Sequence, residues 1–178
     1  MAEYKQRRIL YSTEALQAKV AEIGRRISRD YAGKELVLVG VLKGSLYFFA
    51  DLTRAIDIPI GVDFIAIGSI PNTTHQTGIV RITKDLDLDI TGKHVLVIED
   101  IIRTGLTTAY LVQNLDARKP ASISVCSLLV SPDQQLINVT ISYFGYEITN
   151  TWLIGYGMDI CEKGRNLQYI AEIEKINS

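Results

Sequence analysis

Val95-Leu96-Val97-Ile98-Glu99-Asp100-Ile101-Ile102-Arg103-Thr104-Gly105-Leu106-Thr107-Thr108 is the stretch that decides the fold. Its aliphatic, β-branched start predicts a strand buried on both faces. Two adjacent acids follow, then a short Thr/Gly turn and the start of a helix. In open α/β sheets ligands bind at the carboxyl ends of the strands, which is where Glu99 and Asp100 fall. The turn offers backbone N–H groups, hydroxyls and the positive end of a helix dipole, a combination suited to a phosphate. Two carboxylates would repel that phosphate on contact, but they suit the hydroxyls of a vicinal diol or a hydrated cation. One ligand that unites these features is a phosphorylated ribose. Acids at a helix start can also be simple capping residues; against this, Glu99-Asp100 ends a strand and lies outside the helix it would cap.

Working outward, apolar Leu16, Val20, Ile23 and Ile27 recur at helical spacing behind Ser12 and Thr13, either of which can cap an amphipathic helix. Leu36 to Val39 reads as a second buried strand, and Lys43-Gly44-Ser45 interrupts it before a helix from Leu46 to Ile56. A strand over about 58–67 leads into a polar, turn-rich flap over about 68–78, from which Val80 to Thr83 returns as a strand. The strand at 94–98 is followed by a helix over about 106–116, which Pro120 ends. Ile123 to Val130, Val139 to Phe144 and Trp152 to Tyr156 continue the strands. Apolar strands alternating with helices predict an α/β fold around a mostly parallel central sheet with flanking helices.

The 178 residues are expected to form one domain, with no repeat or linker to divide them. Lys and Arg number 19 against 20 Asp and Glu, so no broad electrostatic footprint for nucleic acid or a membrane surface is present. The polar start and the lack of a long apolar run predict a soluble, cytoplasmic protein. Cys126 and Cys161 lack the spacing of a zinc or redox pair and are expected to be free thiols.

The stretch from Val95 to Thr108 resembles the phosphoribosyl-diphosphate signature of the type I phosphoribosyltransferases. From Leu36 to Ile173 the chain is similar to the bacterial hypoxanthine-guanine members of that family. The likeness is carried by Val41-Leu42-Lys43-Gly44-Ser45, Phe48-Phe49-Ala50-Asp51-Leu52, Gly78-Ile79-Val80-Arg81-Ile82 and Lys84-Asp85-Leu86-Asp87. It continues in Gly145-Tyr146-Glu147-Ile148, Gly155-Tyr156-Gly157-Met158-Asp159 and Glu162-Lys163-Gly164-Arg165-Asn166-Leu167. The resemblance implies a type I phosphoribosyltransferase fold with a flexible flap and a small hood built from the N- and C-terminal segments. It also implies purine salvage: IMP or GMP formed from hypoxanthine or guanine and 5-phosphoribosyl 1-diphosphate, with Mg2+ and release of pyrophosphate, in a homodimer or homotetramer.

Carried over by residue, the resemblance implies that Glu99 and Asp100 hold the ribose hydroxyls and that Thr104, Gly105, Leu106 and Thr107 cradle the 5'-phosphate. Lys43, Gly44 and Arg165 would meet pyrophosphate, in a loop where the family often has a non-proline cis peptide. Asp159 would be the protein's Mg2+ ligand. Trp152 would stack on the purine, although a lone tryptophan is more often core, and Leu153 would offer backbone groups to the base edge.

Three positions depart from the family. Arg103 stands where the family has the aspartate that handles the purine N7 proton, and arginine cannot act as a base. A general base is worth about 10²- to 10⁴-fold, so its loss is expected to slow turnover while sparing nucleotide binding. The partner of Arg103 is open among a phosphate, Asp100 and an outer carboxylate. Ser131 stands at about the position where the family has a lysine that meets the purine O6, and Ser69-Ile70 replaces a Ser-Tyr pair in the flap. These departures keep two other functions in view: a nucleotide-binding homologue with weakened catalysis and a regulatory or partner role, or a phosphoribosyltransferase for another nucleobase.

Overall fold

The computed structural model describes residues 3–69, 80–149 and 151–176. Its frame is a six-stranded sheet made of β2 (Leu36–Leu42), β3 (Ile60–Ser69), β4 (Val80–Lys84), β5 (His94–Ile102), β6 (Ser122–Val130) and β7 (Tyr143–Glu147). The strand order is β4-β3-β2-β5-β6-β7; every pairing is parallel except that of β4 on the β3 edge. A second, antiparallel sheet joins β1 (Glu3–Tyr11), β9 (Ile170–Ile176) and β8 (Trp152–Ile154) in the order β1-β9-β8.

The sheet separates two cores. Alternate residues of β2 and β5, Leu36, Leu38, Leu96 and Ile98, pack with helices α1 (Thr13–Asp30) and α2 (Leu46–Arg54) through Leu16, Val20, Ile23, Ile27, Phe48 and Leu52. The intervening Val37, Val39, Val95 and Val97 face α3 (Leu106–Asp116) through Leu111 and Leu115. The two-residue period of a strand thus supplies both faces, which is why these runs are apolar without alternation.

Ser12 caps α1 by accepting a bond from the Ala15 N–H at 3.3 Å. The expected elements shift in three places. β3 starts at Ile60, just past Pro59, which cannot donate to a ladder, and it continues through Gly68 and Ser69, paired with Arg81 and Val80. These two residues therefore belong to the strand, while Ile70 and the rest of the expected flap lie outside the described residues. Strand β7 covers Tyr143–Glu147 rather than Val139 to Phe144, because Val139 and Ile141 already pack on the α3 core as connecting chain. Strand β1 had no sequence signal of its own; its register comes from β9, at the other end of the chain.

Candidate functional site

Parallel pairing of β2 with β5 brings the Lys43-Gly44-Ser45 turn and the Glu99-Asp100 pair to the same sheet edge. The peptide bond between Leu42 and Lys43 is cis, in the loop where the family resemblance led one to be expected. At Gly44 the chain passes so close to Asp100 that an added Cβ would lie 2.0 Å from Asp100 Oδ2. Glu99 is buried, and burial together with the neighbouring Asp100 charge pushes its carboxyl well above the usual range. The Thr108 hydroxyl donates to Glu99 Oε1 at 3.4 Å. Burial also raises the Asp100 carboxyl, with Arg165 pulling against it and Asp159 adding to it.

The turn after β5 has the form expected of an anion site. Gly105 adopts the left-handed conformation (φ 78°) as the N-cap of α3, which a side chain there would strain. The first bond of the helix runs from the Ala109 N–H to the Gly105 carbonyl, so the N–H groups of its first turn open outward. The Thr104 hydroxyl accepts from the Leu106 N–H at 3.4 Å, and its carbonyl is braced by the N–H groups of Leu136 and Ile137. Leu106 and Thr107 are exposed. Glu99, Arg103, Thr104, Gly105, Thr107 and Thr108 are among the residues lining a cavity of about 200 Å3 here.

Beside it lies a cavity of about 220 Å3, whose walls include Asp100, Arg103, Trp152, Leu153, Asp159 and Arg165. Trp152 is 65% exposed, not core, and stands on β8, which among the described residues pairs only with β9 and leaves its other edge free. The Leu153 side chain is buried beneath it. Arg165 Nη2 pairs with Asp159 Oδ1 at 2.7 Å and with Glu162 Oε2 at 3.2 Å, and its Nη1 donates to the Gly157 carbonyl at 2.8 Å. Its buried Nε has no hydrogen-bond partner among the described residues. Lys43 reaches in from β2 to Glu162 at 3.2 Å.

Glu162 thus gathers both cations expected at pyrophosphate, a role that sequence reading missed although its i,i+3 spacing to Arg165 was visible. The other Asp159 oxygen accepts from the Glu162 N–H at 2.7 Å. No group of three or more metal-ligating side chains forms among the described residues. A carboxylate at the cavity wall, Asp159, fits Mg2+, which commonly takes one or two carboxylates and completes its shell with substrate phosphates and water.

Among the described residues Arg103 pairs with neither Asp100 nor an outer carboxylate. Its Nη1 donates to Gln134 Oε1 at 3.1 Å and its Nη2 to the Thr151 carbonyl at 2.8 Å. Thr151 in turn donates its hydroxyl to Glu172, which also takes Arg8 at 2.8 Å. Gln134, Thr151 and Glu172 gave no sign in the sequence, since their link crosses from the main sheet to the terminal one. Ser131 is fully buried, turned toward Asp133 at 2.8 Å, and lines neither cavity. Ser69 ends β3.

A parallel sheet with a phosphate-sized turn after one strand, two acids before it and a basic pair opposite defines the class. The phosphoribosyl transferase domain model matches residues 6–160, and the chain belongs to that family, with its type I fold. Within it, the chain is 43% identical to the hypoxanthine-guanine phosphoribosyltransferase of Mycobacterium tuberculosis, over 93% of this chain and 85% of that one. It is 40% identical to the hypoxanthine phosphoribosyltransferase of Haemophilus influenzae, over 93% and 94%. A crystal structure of a hypoxanthine-guanine phosphoribosyltransferase from Bacillus anthracis superposes with a TM-score of 0.89 at 41% identity, covering 97% of this chain and 99% of that one.

Proposed function

We propose that the chain is a purine salvage transferase that forms IMP or GMP from hypoxanthine or guanine and 5-phosphoribosyl 1-diphosphate. Residues 1–178 would act as a single domain, with the terminal sheet as its hood, in a cytoplasmic homodimer or homotetramer. The observation that carries this reading is the meeting, at one sheet edge, of the Glu99-Asp100 pair, the α3 N-terminus, the Lys43/Arg165 pair and the exposed Trp152 ring.

In this reading Glu99 and Asp100 accept hydrogen bonds from the ribose hydroxyls, which offsets their burial. Thr104 to Thr107 hold the 5'-phosphate through backbone N–H groups and hydroxyls. Lys43 and Arg165 exchange Glu162 for pyrophosphate oxygens and stabilise the charge that develops on the leaving group, an electrostatic role of the kind that usually dominates. Asp159 would hold Mg2+, which supplies Lewis-acid charge to the pyrophosphate. Trp152 stacks on the base and Leu153 offers its backbone along the free β8 edge. The second reading, a nucleotide binder with weakened catalysis, is favoured by Arg103 alone.

The test is a product assay with hypoxanthine, guanine and adenine against 5-phosphoribosyl 1-diphosphate, run with Mg2+ and with chelator. IMP and GMP are expected, and are expected to disappear with chelator. Tight GMP binding with no nucleotide formed, even at enzyme concentrations near those of the substrates, would select the second reading.

A further inference from the structure

Arg103 and Trp152 together wall two cavities, one of about 220 Å3 and one of about 240 Å3 that Gln134 and Thr151 also line. Two of its five N–H donors go to neutral acceptors, the Gln134 amide and the Thr151 carbonyl. Among the described residues no carboxylate comes within ion-pair distance of it. The charged groups that face it stand further off: Asp100 of β5, Asp133 of the turn after β6, and Asp159 and Arg165 across the cavity. A partly buried cation fixed by neutral acceptors, with donors to spare beside an exposed indole, is a receptor for a flat anion.

We propose that Arg103 binds the purine as its deprotonated anion, its remaining N–H groups paired with N7 and O6 of a 6-oxopurine lying on Trp152. This rests on the transfer reaction proposed above and changes how that reaction disposes of its proton. A guanidinium fork matches the O6 and N7 acceptors of a 6-oxopurine, whereas a neutral base protonated on N7 presents a donor there. The five-membered ring loses its proton to solvent before binding. The N9 lone pair of the anion then forms the bond to C1', the C1'–O bond breaks, and its electron pair leaves with pyrophosphate. No side chain takes a proton, which suits a position held by arginine. The other anions of the proposed reaction are the 5'-phosphate, which has the α3 N-terminus, and pyrophosphate, which has Lys43 and Arg165, whereas both terminal nitrogens of Arg103 are anchored on the Trp152 side.

Among the 6-oxopurines of the proposed reaction, those whose five-ring N–H is more acidic are then expected to be favoured. The experiment compares kcat/KM for hypoxanthine and guanine with that for 8-azahypoxanthine and 8-azaguanine, whose extra ring nitrogen acidifies that N–H, from about pH 6 to 10. For hypoxanthine, kcat/KM is expected to rise about tenfold per pH unit up to the ionisation of the base itself. The 8-aza bases are expected to reach their plateau at lower pH. Arg103→Gln, which keeps donors but not charge, is expected to lose about 10²-fold with every anionic base and to lose the preference for the acidic ones; Arg103→Lys is expected to restore that preference. Thermal melting and IMP binding establish that each variant is folded. One shared midpoint for all bases would overturn the proposal by assigning the titration to the protein. So would an Arg103→Gln effect confined to the affinity for 5-phosphoribosyl 1-diphosphate, which would assign Arg103 to phosphate. No nucleotide from any base would overturn the transfer reaction and this role with it.

Discussion

Gly44→Ala probes the contact on which the site's geometry turns. The new Cβ would sit 2.0 Å from Asp100 Oδ2 and 2.5 Å from its Cγ, where ordinary contact begins at 3.4 Å, so the carboxylate must retreat by about 1.4 Å. Asp100 is held at the end of β5 and cannot move that far without leaving the ribose it is proposed to meet. A misplacement of about 1 Å costs on the order of 10²-fold in rate, and overpacking costs about 1–3 kcal/mol in stability. The assay is kcat/KM for 5-phosphoribosyl 1-diphosphate, with urea unfolding of the same preparations. Because the clash is with one side chain, shortening that side chain should relieve it. Gly44→Ala is therefore expected to cost at least about 1 kcal/mol less in an Asp100→Ala background than alone. Activity of the single variant within about threefold of the parent, or strictly additive stability losses, would refute the reasoning.

Asp63 of β3 is buried and accepts from the N–H groups of Phe64, Asp87 and Leu88 at 2.7 to 2.8 Å, with Lys84 at 3.4 Å. Burial alone would raise its pKa, but these partners win and hold it below the usual carboxylate value. Its stabilisation is therefore present above the unfolded pKa, near 3.9, and is lost as pH falls through the lower folded value. Asp63→Asn is expected to cost about 1–3 kcal/mol at neutral pH, with the gap closing in acid when unfolding is followed against pH; an equal gap at both ends would contradict this. Arg103→Asp exchanges the proposed receptor for the purine anion for a side-chain proton acceptor, so the rise of kcat/KM with pH for hypoxanthine is expected to flatten. It also forfeits the bonds to Gln134 and Thr151, so thermal melting should register a loss; an unchanged pH profile would count against that role of Arg103.

The sheet was legible in the sequence because a strand buried on both faces needs apolar residues at every position, and Val95 to Ile98 has them. The phosphate turn was legible because its parts are contiguous: Thr104, Gly105 and the α3 start need no distant partner. The rest depends on residues far apart in the chain. Strand β1 is polar, and its partner β9 lies at the other end of the chain, with Arg8 meeting Glu172 across 164 residues. The expected strand from Val139 slid to Tyr143 because apolar alternation does not tell a strand from chain packed on a neighbouring core. The partners of Arg103 were invisible for a similar reason: Gln134 and Thr151 lie 31 and 48 residues away, and nothing in their type marks them as acceptors for a guanidinium.

The order in which strands enter the two sheets bears on how the protein is made. All six strands of the parallel sheet are contained between Leu36 and Glu147, so that sheet and the phosphate turn can close while the remainder is still on the ribosome. Trp152 has no such independence. Among the described residues its strand pairs only with β9, and β1, synthesised first, waits for that same partner. The emerging chain therefore acquires the turn at the α3 N-terminus before the strand that carries Trp152. Until β9 arrives, Arg103 also lacks a fixed Thr151 carbonyl to hold it in place.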